Sequence, residues 1–299
     1  NPMRLIVTMS QRLKSSLAVG VLTLLGKLPL RWLHRSANIL ILLLLIFPNQ
    51  SRRQTKINIE RCFPELNPSQ KANLVRQSLQ HTLYAALEMG INWTQASDIG
   101  LQSIKSVTGA EQLSSAHAQG GVILLTPHLG NWELFANWAA HHYPLTALYK
   151  PAKLQGLDAL IHRARSRAGM QLAPATAKGV MKLKRALIKG QVSLILPDQE
   201  PPTSAGMLSQ WFNQPACTMT LANQLANTKN TRIILGFARR LESSQGFALE
   251  LEDITQQFQL ATIEDSVAAL NQAVEALVRR APEQYQWEYR RFKHTLDQA

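Results

Sequence analysis

From about residue 120 onward the chain alternates short apolar runs with stretches whose apolar residues recur every three or four positions. Runs at Gly121–Thr126, Thr146–Lys150, Gln171–Ala175, Val192–Pro197, Arg232–Arg239 and Phe247–Ile254 have the length and branched character of buried strands. Between them, Asn131–His141, Leu157–Ala168, Gly179–Ile188 and Thr220–Asn227 read as helices. Upstream the period is helical throughout. Asn67 is placed to cap, Pro68 suits a first turn, and Leu79, Leu83, Ala86 and Leu87 follow at helical spacing. Strands alternating with helices predict an α/β fold with a central, largely parallel or mixed sheet flanked by helices. Functional side chains are then expected past the carboxyl ends of strands.

The first fifty residues follow a different rule. Leu17 to Gly26 is apolar until Lys27 interrupts, and Ala37 to Phe47 forms a second apolar run. Neither reaches the roughly 20 residues that a helix needs to cross about 30 Å of hydrocarbon. With Arg31, Trp32, His34 and Arg35 between them, the two runs predict a helical hairpin sunk in one leaflet, with His34 at the interface. A single tilted span and a buried helix pair are the competing readings. Residues 1–50 are therefore expected to form a membrane-associated helical anchor and residues 51–299 the α/β domain. Asn1-Pro2 ahead of Met3 reads as a cloning scar and is set aside.

Charge sharpens this picture. The net charge is +13, and it is concentrated in two blocs. Up to residue 76 twelve Lys/Arg face only Glu60 and Glu65, and Lys150 to Lys189 holds ten basic residues against Asp158 alone. Such fields suit anionic lipid, nucleic acid or an acidic protein. Few aromatics are interleaved with the basic runs, which disfavours binding of single-stranded nucleic acid. Cys62 and Cys217 have no metal or CxxC spacing and are expected as free thiols.

Candidate chemistry sits in "TPHLGNWE", residues 126 to 133. His128 lies just past a predicted strand. Gly130 allows a tight turn, Asn131 can cap the following helix, and Glu133 falls in its first turn, where the dipole favours a carboxylate. If His128 folds back onto Glu133, one ring nitrogen is held and the other keeps its lone pair for a proton from an attacking hydroxyl. No G-x-S-x-G elbow occurs, so a nucleophile is expected to arrive with a substrate. A P-loop, GxGxxG, HExxH and paired CxxC are also missing from the sequence, so neither cofactor nor metal is expected.

This stretch resembles the H-x4-D/E motif of the late (Kdo2-lipid A) lipid A biosynthesis acyltransferases, within the wider glycerolipid acyltransferase superfamily. "NIERCFPEL" (58–66), "ALYKP" (147–151), "ARSRAG" (164–169), "LPDQE" (196–200), "WFNQPACTMTLANQLA" (211–226) and "YQWEYRRFK" (285–293) resemble further blocks of that family, in order. The resemblance implies a glycerol-3-phosphate acyltransferase-like fold and transfer of an acyl chain from an acyl-carrier-protein thioester to a hydroxyl of a lipid A precursor. The myristoyl-transferring type is one option, since acyl length is not legible. His128 would be the general base and Glu133 its orienting partner. Arg165, Arg167 and Lys150 would handle acceptor phosphates and sugars, with Asn131, Asp198 and Gln199 also expected at the substrate. The implied setting is the cytoplasmic face of a bacterial inner membrane, with acyl carrier protein, the glycolipid acceptor and membrane lipids as partners. Acyl carrier protein is acidic, and "KGVMKLKRALIK" (178–189) is a candidate surface for it. Competing readings are the same fold acting on another glycolipid or an aminolipid, a thioesterase using His128 and Glu133 on water, and a basic membrane-docking protein without activity.

Overall fold

The computed structural model describes residues 2–258 and 262–296, so Asn1 lies outside the described residues. Four helices open the chain: α1 (Pro2–Gly26), α2 (Leu30–Ile46), α3 (Gln50–Cys62) and α4 (Pro68–Thr94). Asn67 caps α4 as predicted, in a reciprocal box with Gln70 and with Pro68 in the first turn. Then come α5 (Ser97–Leu101), β1 (Ile104–Thr108), α6 (Ala110–Gln119), β2 (Gly121–Leu125), α7 (Trp132–His142), β3 (Leu145–Tyr149), α8 (Gln155–Arg167), β4 (Gln171–Pro174), α9 (Ala177–Ile188) and β5 (Val192–Ile195). The chain continues through β6 (Gly206–Trp211), β7 (Gln214–Met219), α10 (Leu221–Ala226), β8 (Thr231–Arg240), β9 (Phe247–Asp253), α11 (Ile263–Arg280) and α12 (Lys293–Leu296).

Seven strands form one sheet in the order β1-β9-β8-β2-β5-β3-β4, and β6 and β7 pair separately as a hairpin. All neighbours in the large sheet are parallel except β8 and β9. This is the α/β architecture the strand–helix alternation predicts. Both faces are covered, which explains why β2 reads as an unbroken apolar run. Ile123 and Leu125 join the cluster beneath α9, α10 and α11, while Val122 and Leu124 join the one beneath α6 and α7. Not among the predicted elements are β1, α6, the β6–β7 hairpin and α11. In β1 only Ile104 is even partly covered, so this edge strand carries no apolar alternation to read.

The N-terminal helices pack on α4, and α1 also meets α8. One face of α2 (Leu33, His34, Ala37 and Ile41) is buried, whereas Ile39, Leu42, Leu43, Ile46 and Phe47 are exposed. His34 is thus not an interfacial residue: Nε2 lies 2.7 Å from Glu88 Oε1 and Nδ1 2.9 Å from Ser244 Oγ. No described helix alone is long and apolar enough to cross a membrane, although α2 and α3, bent by 84°, pass that test as a pair.

A buried polar hub joins these helices to the sheet. Glu88 of α4 receives Arg240 of β8 through two bonds, Nε to Oε1 at 2.6 Å and Nη2 to Oε2 at 2.7 Å. Both side chains are almost wholly buried. Burial opposes ionisation of Glu88, but Arg240 and His34 outweigh it and hold its pKa below the ordinary value. Arg240 also donates to the Gly130 carbonyl at 2.9 Å, and its Nη1 lies 3.4 Å from His81 Nδ1.

Glu88→Ala leaves a buried guanidinium without its counter-charge and is expected to cost about 3–5 kcal/mol. A denaturant midpoint unchanged from wild type would contradict that. The hub also predicts a pH slope. Burial, with Arg240 and His34 adding to it, pushes His81 down to a pKa of about 3, from an ordinary 6.5. Between those values the unfolded chain takes up a proton that the folded chain refuses, so stability falls as pH drops below about 6.5. His81→Gln should flatten this slope when denaturation midpoints at pH 7 and pH 5 are compared.

Candidate functional site

Strand register builds the site. In the parallel pair β2–β5, Leu125 stands opposite Ile195. Three residues past each lie His128 and Asp198, so two loops leaving one sheet edge deliver an imidazole and a carboxylate side by side. His128 Nδ1 is 2.9 Å from Asp198 Oδ1, and the His128 backbone N–H donates to Oδ2, also at 2.9 Å. Burial, with the Asp198 charge adding to it, pushes the pKa of the Tyr285 hydroxyl well above its ordinary value. Burial alone would raise the pKa of Asp198, but charge and hydrogen bonds from His128 hold it below the usual range. An ionised Asp198 accepts the hydrogen bond from Nδ1–H, which keeps the proton on that nitrogen and leaves the lone pair on Nε2. The Gln199 side-chain amide sits 3.2 Å from that nitrogen. With Nδ1 protonated, the amide nitrogen is the end that can donate to it. The His128 side chain keeps 16% exposure, so a substrate can reach the ring.

The turn after His128 is fixed from behind. Gly130 has φ +60°, and a Cβ there would lie 2.0 Å from the Ala238 carbonyl oxygen, a space only glycine can occupy. Gly130 N–H donates to Gln284 O, and Asn131 N–H to Ala238 O. Asn131 caps α7 as predicted by accepting from Leu134 N–H at 2.9 Å. The rest of its amide is engaged too, donating to Glu88 Oε2 at 3.1 Å and accepting from Asn92. Its expected place at the substrate is therefore corrected: Asn131 is a buried brace.

The expected His128–Glu133 contact is corrected as well. Glu133 does lie in the first turn of α7, but its carboxylate grips Arg165 of α8 through Nε and Nη2. Trp132, one residue earlier, packs against the His128 ring with centroids 5.1 Å apart. Two causes act together. Sheet register brings Asp198 to Nδ1, and the largely buried Arg165 guanidinium requires a carboxylate partner. Arg165, over the Tyr149 ring at 5.4 Å, has its fork committed to Glu133 instead of to a ligand. Arg167 donates to the Gln95 and Trp93 carbonyls at the end of α4, where it satisfies carbonyls the helix leaves open. Lys150, one residue past β3, is exposed and open to a substrate.

A cavity of about 330 Å³ adjoins the dyad, lined by α4, Trp132 and the segment Gln284–Glu288. Trp132 and Tyr285 are shared between the cavity and the dyad. Within it, Thr82 Oγ1 donates to Glu288 Oε2 at 3.0 Å, and burial pushes the Glu288 pKa up. A larger cavity of about 380 Å³ lies behind the turn, on the Glu88 and Asn131 side, and does not touch the dyad. Sequence patterning did not flag Trp132, Tyr285, Glu288 or Gln284. Their roles depend on contacts with residues at least 44 positions away, apart from Trp132, whose i to i+4 spacing from His128 was visible.

Comparison with known proteins gives this geometry a setting. Over 280 residues the chain is 28% identical to a lipid A biosynthesis lauroyltransferase of Escherichia coli (strain K12), covering 93% of this chain and 90% of that protein. Over 252 residues it is 25% identical to a lipid A biosynthesis palmitoleoyltransferase of the same organism, covering 82% and 80%. A lipid A biosynthesis acyltransferase of Haemophilus influenzae is 24% identical over 245 residues, with coverage of 80% and 74%. The family model for bacterial lipid A biosynthesis acyltransferases matches residues 5–294, nearly the whole chain, and the protein belongs to that family.

Proposed function

We propose that this protein is a membrane-bound O-acyltransferase that moves a fatty acyl chain from an acyl-carrier-protein thioester to a hydroxyl of a Kdo-bearing lipid A precursor. The observation that carries the reading is the His128–Asp198 pair at 2.9 Å, with the second ring nitrogen met only by the Gln199 amide and with Trp132, which packs on the ring, lining a cavity. Asp198 fixes the tautomer. His128 Nε2 takes the proton as the acceptor oxygen attacks the thioester carbon, and the tetrahedral intermediate collapses with loss of the C–S bond. The imidazolium then returns its proton to the departing thiolate. Gln199 occupies Nε2 until the hydroxyl displaces it. Its freed N–H is then within reach of the oxyanion that develops a few ångströms away. Lys150 suits an acceptor phosphate. Glu133 acts at a distance, by holding Arg165 and with it the packing of α7 on α8.

Membrane attachment rests on an apolar stripe. Leu13, Leu17, Val21 and Leu24 are exposed along one side of α1, at spacings of four and three residues. Trp32, Ile39, Leu42, Leu43 and Ile46 continue it on α2 and Phe47 just past its end, with Lys27, Arg31 and Arg35 close by. A stripe this large is rare on a free soluble surface. It suits a hairpin lying in one leaflet of the bacterial inner membrane, on the cytoplasmic side. That arrangement sets the carboxyl edge of the sheet, capped by α4, near the lipid.

Lipid mass spectrometry tests the chemistry, with acyl carrier protein loaded with several chain lengths and a Kdo-bearing acceptor. Wild type should add one acyl chain and His128→Ala none. Asp198→Asn is expected to lose about 10²–10⁴-fold in kcat, because the wrong tautomer is then favoured. Glu133→Gln should cost less than Asp198→Asn, and the reverse order would restore Glu133 as the orienting acid. Acyl release to water at an undiminished rate with acceptor present would point to a thioesterase instead. For the membrane, Leu17→Glu with Leu24→Glu should shift the protein out of the floated fraction with anionic vesicles, and unchanged flotation would remove α1 from the lipid contact.

A further inference from the structure

One surface is not used by the site, the hub or the lipid-facing stripe. Helix α9 packs on β2, β3, β4 and β5 through its inner side, where Leu183, Ala186 and Leu187 are buried. Its outer side presents Lys178, Met181, Lys184, Arg185, Ile188 and Lys189 along a single face, all exposed. Met181 is 49% exposed and Ile188 66%, two apolar knobs set among four cations. The helix contains no acidic residue, and none of those four cations forms an ion pair among the described residues. Lys182 differs from them: its ammonium caps the Leu172 carbonyl at 3.0 Å and belongs to the fold.

Position narrows the partner. α9 follows β4, so its first residue stands at the carboxyl edge of the sheet, the edge that carries His128 and Asp198. In strand order β4 is three strands from β2, about 14 Å at the usual spacing. From there the helix runs about 18 Å back along the side of the sheet, away from the edge capped by α4. Among the described residues it makes no sizeable packing interface with α1 or α2. A protein lying on a membrane by those helices would turn the far half of α9 to water. Anionic lipid is therefore the poorer match for the whole face, and a soluble acidic protein the better one.

We propose that the Lys178–Lys189 face of α9 docks the acidic carrier that presents the acyl thioester, with Met181 and Ile188 seated in an apolar recess of that carrier. The inference rests on the carrier-thioester donor reading above and adds the surface that reads the carrier. The cations steer the encounter, and the apolar pair sets the register. The carrier then sits beside the sheet edge, and its flexible arm bridges to His128.

The experiment uses the full-length protein with two donors carrying the same acyl chain, one on acyl carrier protein and one on pantetheine alone. Lys184→Glu with Arg185→Glu should raise KM for the carrier-bound donor about tenfold or more, with steep salt dependence in wild type that the variant loses. Turnover with acyl-pantetheine and flotation with anionic vesicles should stay at wild-type values. Met181→Ala with Ile188→Ala should also raise KM for the carrier-bound donor, but without changing the salt slope. Equal losses with both donors would mean that the variant damages the fold, and loss of flotation would make the face a lipid contact. Either result overturns the proposal, as does an unchanged KM for the carrier-bound donor. If wild type itself accepts acyl-pantetheine but not the carrier thioester, the donor reading fails first and this surface falls with it.

Discussion

The Glu88–Arg240 pair is the interaction on which the remainder depends. It lies where the helical N-terminal region, the sheet and the turn after His128 meet, and each of the three hangs a polar group on it. His34 reaches it from α2, Asn131 and the Gly130 carbonyl from the turn, and His81 from α4. A pair this deeply buried contributes little net stability compared with well-packed apolar side chains of the same size. Its value is positional. Carboxylate and guanidinium geometry is directional, so each bond fixes an angle that apolar packing would leave loose.

The geometry of the candidate site arises from a second constraint, the parallel register of β2 and β5. Neither His128 nor Asp198 is placed by its own loop alone. Each lies three residues beyond a paired strand residue, and the sheet carries both loops out of the same edge. The carboxylate that is nearest in sequence is therefore not the one that meets the ring. Glu133 answers a different demand, since Arg165 would otherwise be a largely buried cation without a partner. Two acids and two bases sort themselves by which pairing leaves no charge stranded.

Much of the fold was readable from pattern. Apart from the β6–β7 hairpin, the strand and helix positions from Gly121 to Asp253 follow from apolar runs and their periods, and the capping of α4 and α7 from Asn67 and Asn131. His128 was legible as a strand-end residue, and the order of family blocks along the chain gave its setting. What pattern does not carry is partnership across the sheet. Asp198 was visible as a strand-end acid, but its pairing with His128 depends on β2 and β5 being neighbours, which no local spacing reveals. The same holds for His34. Its place between basic and aromatic residues suggested an interface, whereas the side chain is drawn inward by a glutamate 54 residues away.

That inward turn of His34 bears on how the molecule can be divided. The helix that exposes Ile39, Leu42 and Ile46 on one side supplies Leu33, Ala37 and Ile41 to the interior on the other. Trimming the chain near residue 50 would strip the lid from an ion pair and uncover the flank of α4. The N-terminal helices and the α/β unit share one wall, and either half alone would be a different protein.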